Sequence, residues 1–245
     1  MKNIVITAAD AHYYYSLLTL IASLHRHSMD SIDEIVVFNL GLSEEEVNRL
    51  NGLQKVSVRD FPEEVNVDRS DYAFKCYASH WGKSIAENVL WLDSGVMALK
   101  SIKEMFDIID EDHILLVEDK NHKNIKWTHE KCRSIMKATD SELNDFQLSA
   151  GILGYKRDGN FQTLMNEAYE FSKIKECISG DHGNHRHDQS IYSILASRHN
   201  APRQHIDKYG YYTDNRRNLN KAQEAGAVIF VHRNGHWDHN GLLNK

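Results

Sequence analysis

The chain has 245 residues, a formal net charge of −6 and a pI near 6.2. That acidity excludes a dedicated nucleic-acid binder, which carries a basic face. With 41% hydrophobic residues and no Pro-, Gly- or Ser-rich linker, the sequence reads as one domain, 1–245, with a sizeable core and an irregular C-terminal region.

The N-terminus runs directly into a strand, Asn3 to Ala8, without a signal-peptide layout. Tyr14, Leu17, Leu18, Ile21 and Leu24 then recur at helical spacing. Glu34–Asn39 is a second strand. Ser43 is a good N-cap for the acidic run Glu44-Glu45-Glu46. Val56–Asp60 alternates as a third strand, and Tyr72 to Glu87 is expected to be helical before a buried strand, Val89–Leu92. Strands alternating with helices predict an α/β fold with a mostly parallel sheet covered on both faces. Further on, Ile114–Glu118 and Phe146–Tyr155 read as strands, the latter interrupted at Gly151. Thr128–Ala138, Phe161–Phe171 and the segment around Ile191, Ile194 and Leu195 read as helices, and Val228–Val231 as the last strand.

Candidate chemistry collects at the ends of these elements. The Val89–Leu92 strand delivers Asp93 into the small residues Ser94 and Gly95, a setting for a metal-bridged phosphate or a ribose hydroxyl. A plain turn cap explains it equally well. Thr7-Ala8-Ala9-Asp10 ends the first strand, where Asp10 either caps the helix or contacts a ligand; the pattern is neither GxGxxG nor a P-loop. Lys75 is read as a solvated lysine, or else as a point charge for a phosphate. Ser149-Ala150-Gly151 marks a bulge or the close approach of a ligand. Asp188 and Gln189 open a helix, where a carboxylate is favourable.

His185 and His187 have an HxH spacing, without a reliable third zinc ligand nearby. His232-Arg233-Asn234-Gly235 follows the final strand, as a ligand set or as a polar tail. The cysteines (Cys76, Cys132, Cys177) form no CxxC pair, which fits a reducing compartment. No apolar run reaches bilayer-spanning length. The expected location is therefore cytoplasmic, with peripheral association at the inner face of the membrane left open.

In this order, the motifs resemble the GT-A nucleotide-sugar glycosyltransferases, nearest to family 8, the type of bacterial lipopolysaccharide glycosyltransferases and glycogenin. The resemblance covers most of the chain as a set of short motifs. It implies a single Rossmann-like GT-A domain whose residues 1–100 hold the nucleotide and whose residues 101–245 serve donor sugar and acceptor. It implies a UDP-sugar donor, a glycan or glycolipid acceptor and a Mn²⁺ or Mg²⁺ ion. Thr7, Ala8, Ala9 and Asp10 would meet uracil and ribose, and Ser149, Ala150 and Gly151 the donor sugar. Asp188 and Gln189 would lie near the anomeric carbon. Asp93 with Ser94 corresponds to the metal-binding Asp-x-Asp, and His232, with Asn234 and Gly235, would complete the metal site. The second acid of Asp-x-Asp is Gly95 here. Two other readings stand beside this one: a zinc hydrolase built on His182, His185, His187 and Asp188, and a silent sugar-nucleotide-binding protein.

Overall fold

The computed structural model describes residues 1–65, 68–211 and 219–232. The strands are β1 (Asn3–Ala9), β2 (Glu34–Asn39), β3 (Val56–Asp60), β4 (Asn88–Leu92), β5 (Val96–Ala98), β6 (Ile114–Lys123), β7 (Phe146–Lys156), β8 (Gln204–His205) and β9 (Ile229–Val231). The helices are α1 (Tyr14–His27), α2 (Glu44–Asn51), α3 (Ala73–Gly82), α4 (Lys103–Asp112), α5 (Asn124–Trp127), α6 (Glu130–Met136), α7 (Asp140–Asn144), α8 (Gln162–Ser172), α9 (Lys175–Ile178), α10 (Asp188–Arg198), α11 (Ile206–Tyr209) and α12 (Leu219–Glu224).

A seven-stranded sheet runs β3-β2-β1-β4-β7-β6-β8, and β5 pairs with β9 in a separate ribbon. The strands β3, β2, β1 and β4 are mutually parallel, as are β6 and β8. Only β7 runs antiparallel to both of its neighbours. Chain order reverses on either side of β1, so the switch point of the sheet lies between β1 and β4. Ligands of open α/β sheets bind beyond the carboxyl ends of strands at such a point.

The alternation along β1 explains the two cores. Ile4, Ile6 and Ala8 face one cluster with Phe38, Trp91, Leu164 and Ile194. Val5 and Ala9 face the other with Leu17, Ile21, Leu90 and Phe106. Because successive strand residues point to opposite faces, a strand buried on both sides must be apolar throughout. Each fully buried aliphatic side chain here contributes about 1.5–3 kcal/mol.

Local signals explain several boundaries. Ser43 caps α2 through the Glu46 N–H at 3.3 Å, and Glu46 accepts in return from the Ser43 N–H at 2.7 Å. Helix α3 stops at Gly82, short of the expected Glu87; a Cβ there would stand 2.6 Å from Ile6 Cδ1 and 2.8 Å from Val89 Cγ1. Strand β7 is not broken at Gly151. The irregularity falls in its pairing with β6, between Leu116 and Glu118 and again between Asp119 and Lys123. Among the described residues, no helix is long and apolar enough to cross a membrane.

Candidate active site

A cleft of about 730 Å³ opens at the β1/β4 switch point. Its walls come from the end of β1 (Ala8, Ala9, Asp10), the end of β4 (Trp91, Asp93, Ser94, Gly95), the middle of β7 (Ser149, Ala150, Gly151) and the start of α10 (Asp188, Gln189). Tyr72 and Lys75 of the α3 segment complete it. Three of the carboxylates singled out in the sequence, Asp10, Asp93 and Asp188, therefore share one cavity.

At the centre is Lys75, which is buried instead of solvated at 8% exposure. Its Nζ lies 2.8 Å from Asp93 Oδ1, 3.1 Å from Asp93 Oδ2 and 4.0 Å from Asp188 Oδ2. The Tyr72 ring is 5.0 Å from the ammonium and the Trp91 ring 5.9 Å. Burial alone would lower the Lys75 pKa, but the carboxylates of Asp93 and Asp188 outweigh it and hold the amine above its ordinary value. Trp91 Nε1 donates to Asp93 Oδ1 at 2.8 Å. Asp93 is thus held by an ammonium on one side and an indole on the other.

Asp188 differs. It is 4% exposed, and its Oδ2 has no hydrogen-bond partner. Burial pushes its pKa up to about 7; Lys75 pulls the other way, and Asp93 adds to the rise. The site therefore sets a carboxylate held by an ammonium and an indole beside a buried one whose pKa is raised toward neutrality.

Backbone strain concentrates at the same place. Tyr72 and His187 have φ of 60° and 54°, a left-handed region that L side chains adopt at a cost. They immediately precede α3 and α10, the helices that carry Lys75 and Asp188. Both strained residues line the cleft.

The remaining candidates divide. Asp10 does both things anticipated for it: Oδ1 accepts from the Tyr13 N–H at 3.1 Å, while Oδ2 pairs with Arg69 at the cleft wall. Thr7 is fully buried and is not among the residues of the wall. Gly151 leaves space for Asp93, since a Cβ would sit 3.0 Å from Asp93 Oδ2. His232 is fully buried, and its main-chain N–H donates to the Gly95 carbonyl at 3.0 Å. Asn234 and Gly235 lie outside the described residues. Arg69, Tyr72, Trp91 and Arg186 on the wall were not predicted. Tyr72 and Trp91 had a sequence signal, as aromatic residues close to Lys75 and Asp93.

The zinc reading is not supported. His185 Nε2 contacts the Ile178 carbonyl at 3.2 Å, and its Nδ1 accepts from the His129 N–H at 3.5 Å. His187 Nδ1 contacts the same carbonyl at 3.0 Å, and its Nε2 meets His182 Nδ1 at 3.2 Å. The rings of His185 and His187 have no lone pair left for a metal. Burial, reinforced by His129 and His187, pushes His185 down to about 3. Among the described residues, no group of three or more His, Cys, Asp or Glu side chains could hold an ion.

The divalent metal implied by the resemblance meets the same difficulty. Asp93 is already engaged by Lys75 and Trp91, and the second acid position is Gly95. The described residues do not fit a protein-held cation.

No protein-family model matches the chain, and no curated protein matches it. Solved structures do. The apo structure of the bifunctional glycosyltransferase WbbM superposes with a TM-score of 0.62 at 15% identity, covering 94% of this chain and 45% of that one. The galactosyltransferase LgtC, in complex with donor and acceptor sugar analogues, gives 0.56 at 13% identity, over 98% and 93%. Mouse xyloside xylosyltransferase 1 in its apo form gives 0.53 at 11% identity, over 98% of each. The chain shares the fold of these three solved structures. It spans about half the length of WbbM and of GlyE from Streptococcus pneumoniae TIGR4, at 45% and 54% of those chains.

Proposed function

We propose that this GT-A chain transfers a sugar from a nucleoside diphosphate donor, a UDP-sugar, to the hydroxyl of a glycan or glycolipid. The observation that carries this is the meeting of Lys75, Asp93, Asp188 and Gln189 in one cleft at the β1/β4 switch point.

In this reading the turn Ala8-Ala9-Asp10 receives the nucleoside, and Ser149, Ala150 and Gly151 form the floor under the sugar. Lys75 locks the Asp93 carboxylate, which accepts hydrogen bonds from ribose or sugar hydroxyls. Asp188 orients the sugar, and Gln189 faces the reacting carbon. The C1–O bond to the β-phosphate breaks and the diphosphate leaves with the electron pair. The acceptor oxygen bonds to C1, and its proton goes to the departing phosphate oxygen. Arg69 and Arg186 on the wall offset the charge of the diphosphate. The resemblance favours retention at C1.

Calorimetric titration with UDP is the direct test, followed by a UDP-sugar panel in which released UDP is measured. Binding with slow donor hydrolysis is expected. Absence of affinity for every nucleoside diphosphate tried would remove this reading. Affinity without any UDP release would instead favour the silent binding protein.

A further inference from the structure

A run of three side-chain amides leads from the interior to the cleft. Asn124, at the start of α5, and Gln147, in β7, are both fully buried. Asn124 Nδ2 donates to the main-chain carbonyl of Glu142 at 2.8 Å. A carbonyl can only accept, so this contact fixes which end of the first amide is which. Asn124 Oδ1 then faces Gln147 and accepts from its Nε2 at 2.8 Å. Only Oε1 of Gln147 remains, and it accepts from Gln189 Nε2 at 3.1 Å. Reversing any single amide would set oxygen against oxygen or nitrogen against nitrogen in a buried place, at the cost of unmade hydrogen bonds.

The backbone holds both ends. The Asn124 N–H donates to the Asp145 carbonyl at 2.9 Å. Ser193 of α10 accepts from the Leu148 N–H at 2.9 Å and donates to the Gln189 carbonyl at 2.5 Å, fixing the first turn of α10 against β7. Gln189 itself is half-buried and lines the cleft.

We propose that Asn124 and Gln147 are positioning residues that hold Gln189 with its carbonyl Oε1, not its NH₂, toward the donor sugar. This rests on the transfer reading above. Positive charge grows on the anomeric carbon as the bond to phosphate breaks. A pre-oriented carbonyl dipole stabilises that charge, whereas a reversed amide opposes it. Two fully buried residues that do not themselves line the cleft thereby set the sign of a dipole in the site.

The test uses Gln147→Met and Gln147→Glu in the whole chain. Methionine fills the volume and cuts the relay; kcat is expected to fall roughly ten- to a hundredfold with KM for donor within about twofold. A Glu at this position accepts from Gln189 whether protonated or ionised, and loses only the bond to Asn124 when ionised. Gln147→Glu is therefore expected to keep kcat within about threefold of the wild type even where its buried carboxyl lowers Tm, in contrast to Gln147→Met. A merely structural role would make kcat follow Tm in both variants. Unchanged kcat in a folded Gln147→Met variant overturns the proposal.

Neutron diffraction from the deuterated protein supplies an arm that needs no substrate. Two deuterons on the Gln189 atom facing Gln147 are expected, and deuterons on the atom facing the cleft overturn the relay. An inert wild type with the expected deuterons would count against the transfer reading while the relay stands.

Discussion

Asp188→Asn isolates the most unusual group in the site. Folding raises the Asp188 carboxyl from an ordinary 3.8 to about 7. Between those values the folded chain holds a proton that the unfolded chain has released, so stability falls as pH rises. The slope approaches ~1.3 kcal/mol per pH unit near pH 5 and vanishes above about pH 8. Integrated from pH 5 to pH 8, Asp188 removes roughly 2–3 kcal/mol of stability. The wild type alone would hide this. His185, held at about 3, must take up a proton on unfolding below its ordinary pKa, and it contributes a slope of opposite sign. That contribution is present in both proteins and cancels in their difference. The assay is urea unfolding followed by tryptophan fluorescence at pH 5, 6, 7 and 8. The Asp188→Asn variant should gain roughly 2–3 kcal/mol on the wild type between the extremes, whatever the constant offset between them. A difference that stays flat within about 0.5 kcal/mol would refute the reasoning.

Other perturbations read other parts of the account. Lys75→Met strands Asp93 beside Asp188 without its ammonium and should cost roughly 2–4 kcal/mol, measured by denaturation, together with nearly all transfer activity. Gly151→Ala presses a methyl group against the Asp93 carboxylate, 3.0 Å from Oδ2. The expected result is about tenfold weaker UDP-sugar binding by calorimetry with little change in Tm. Gly82→Ala must push into Ile6 and Val89 at 2.6 and 2.8 Å, so unfolding should show a loss of about 1–3 kcal/mol while the affinity of the residual folded protein for UDP is retained. Since Asp93 is engaged by Lys75 and the second acid is Gly95, a chelator should change UDP affinity by less than about threefold. A change of more than about a hundredfold would return the metal to the mechanism.

The first half of the sheet was legible because local signals agree there. Glu34–Asn39 and Val56–Asp60 form strands with the expected limits, and Ser43 caps α2 as its spacing with Glu46 implies. The direction of β7 was not legible. Nothing within Phe146–Lys156 says that Leu92 will face Ile152 in antiparallel register; that pairing is decided by segments distant in sequence. Asp10, Asp93 and Asp188 were legible as candidates because each ends or begins an element, where capping and ligand contact both favour a carboxylate. Lys75 stayed open between a solvated lysine and a point charge for a phosphate, since a helical face cannot show that Tyr72, Trp91, Asp93 and Asp188 will close around it. Gln147 was passed over, yet it carried a signal: an amide inside an apolar strand needs a partner in the interior. Thr7 shows the converse, a polar residue next to the cleft residues Ala8 and Ala9 whose side chain is fully buried.

The central claim is that the cleft at the β1/β4 switch point seats a nucleotide-sugar. A crystal structure of the chain with a non-hydrolysable fluorinated UDP-sugar tests it most directly. The sugar should lie within hydrogen-bond reach of Asp93 and Asp188, with its C1 beside Gln189 and the diphosphate toward Arg69 or Arg186. Density for the ligand on another surface, or an empty cleft at saturating ligand, would contradict the account.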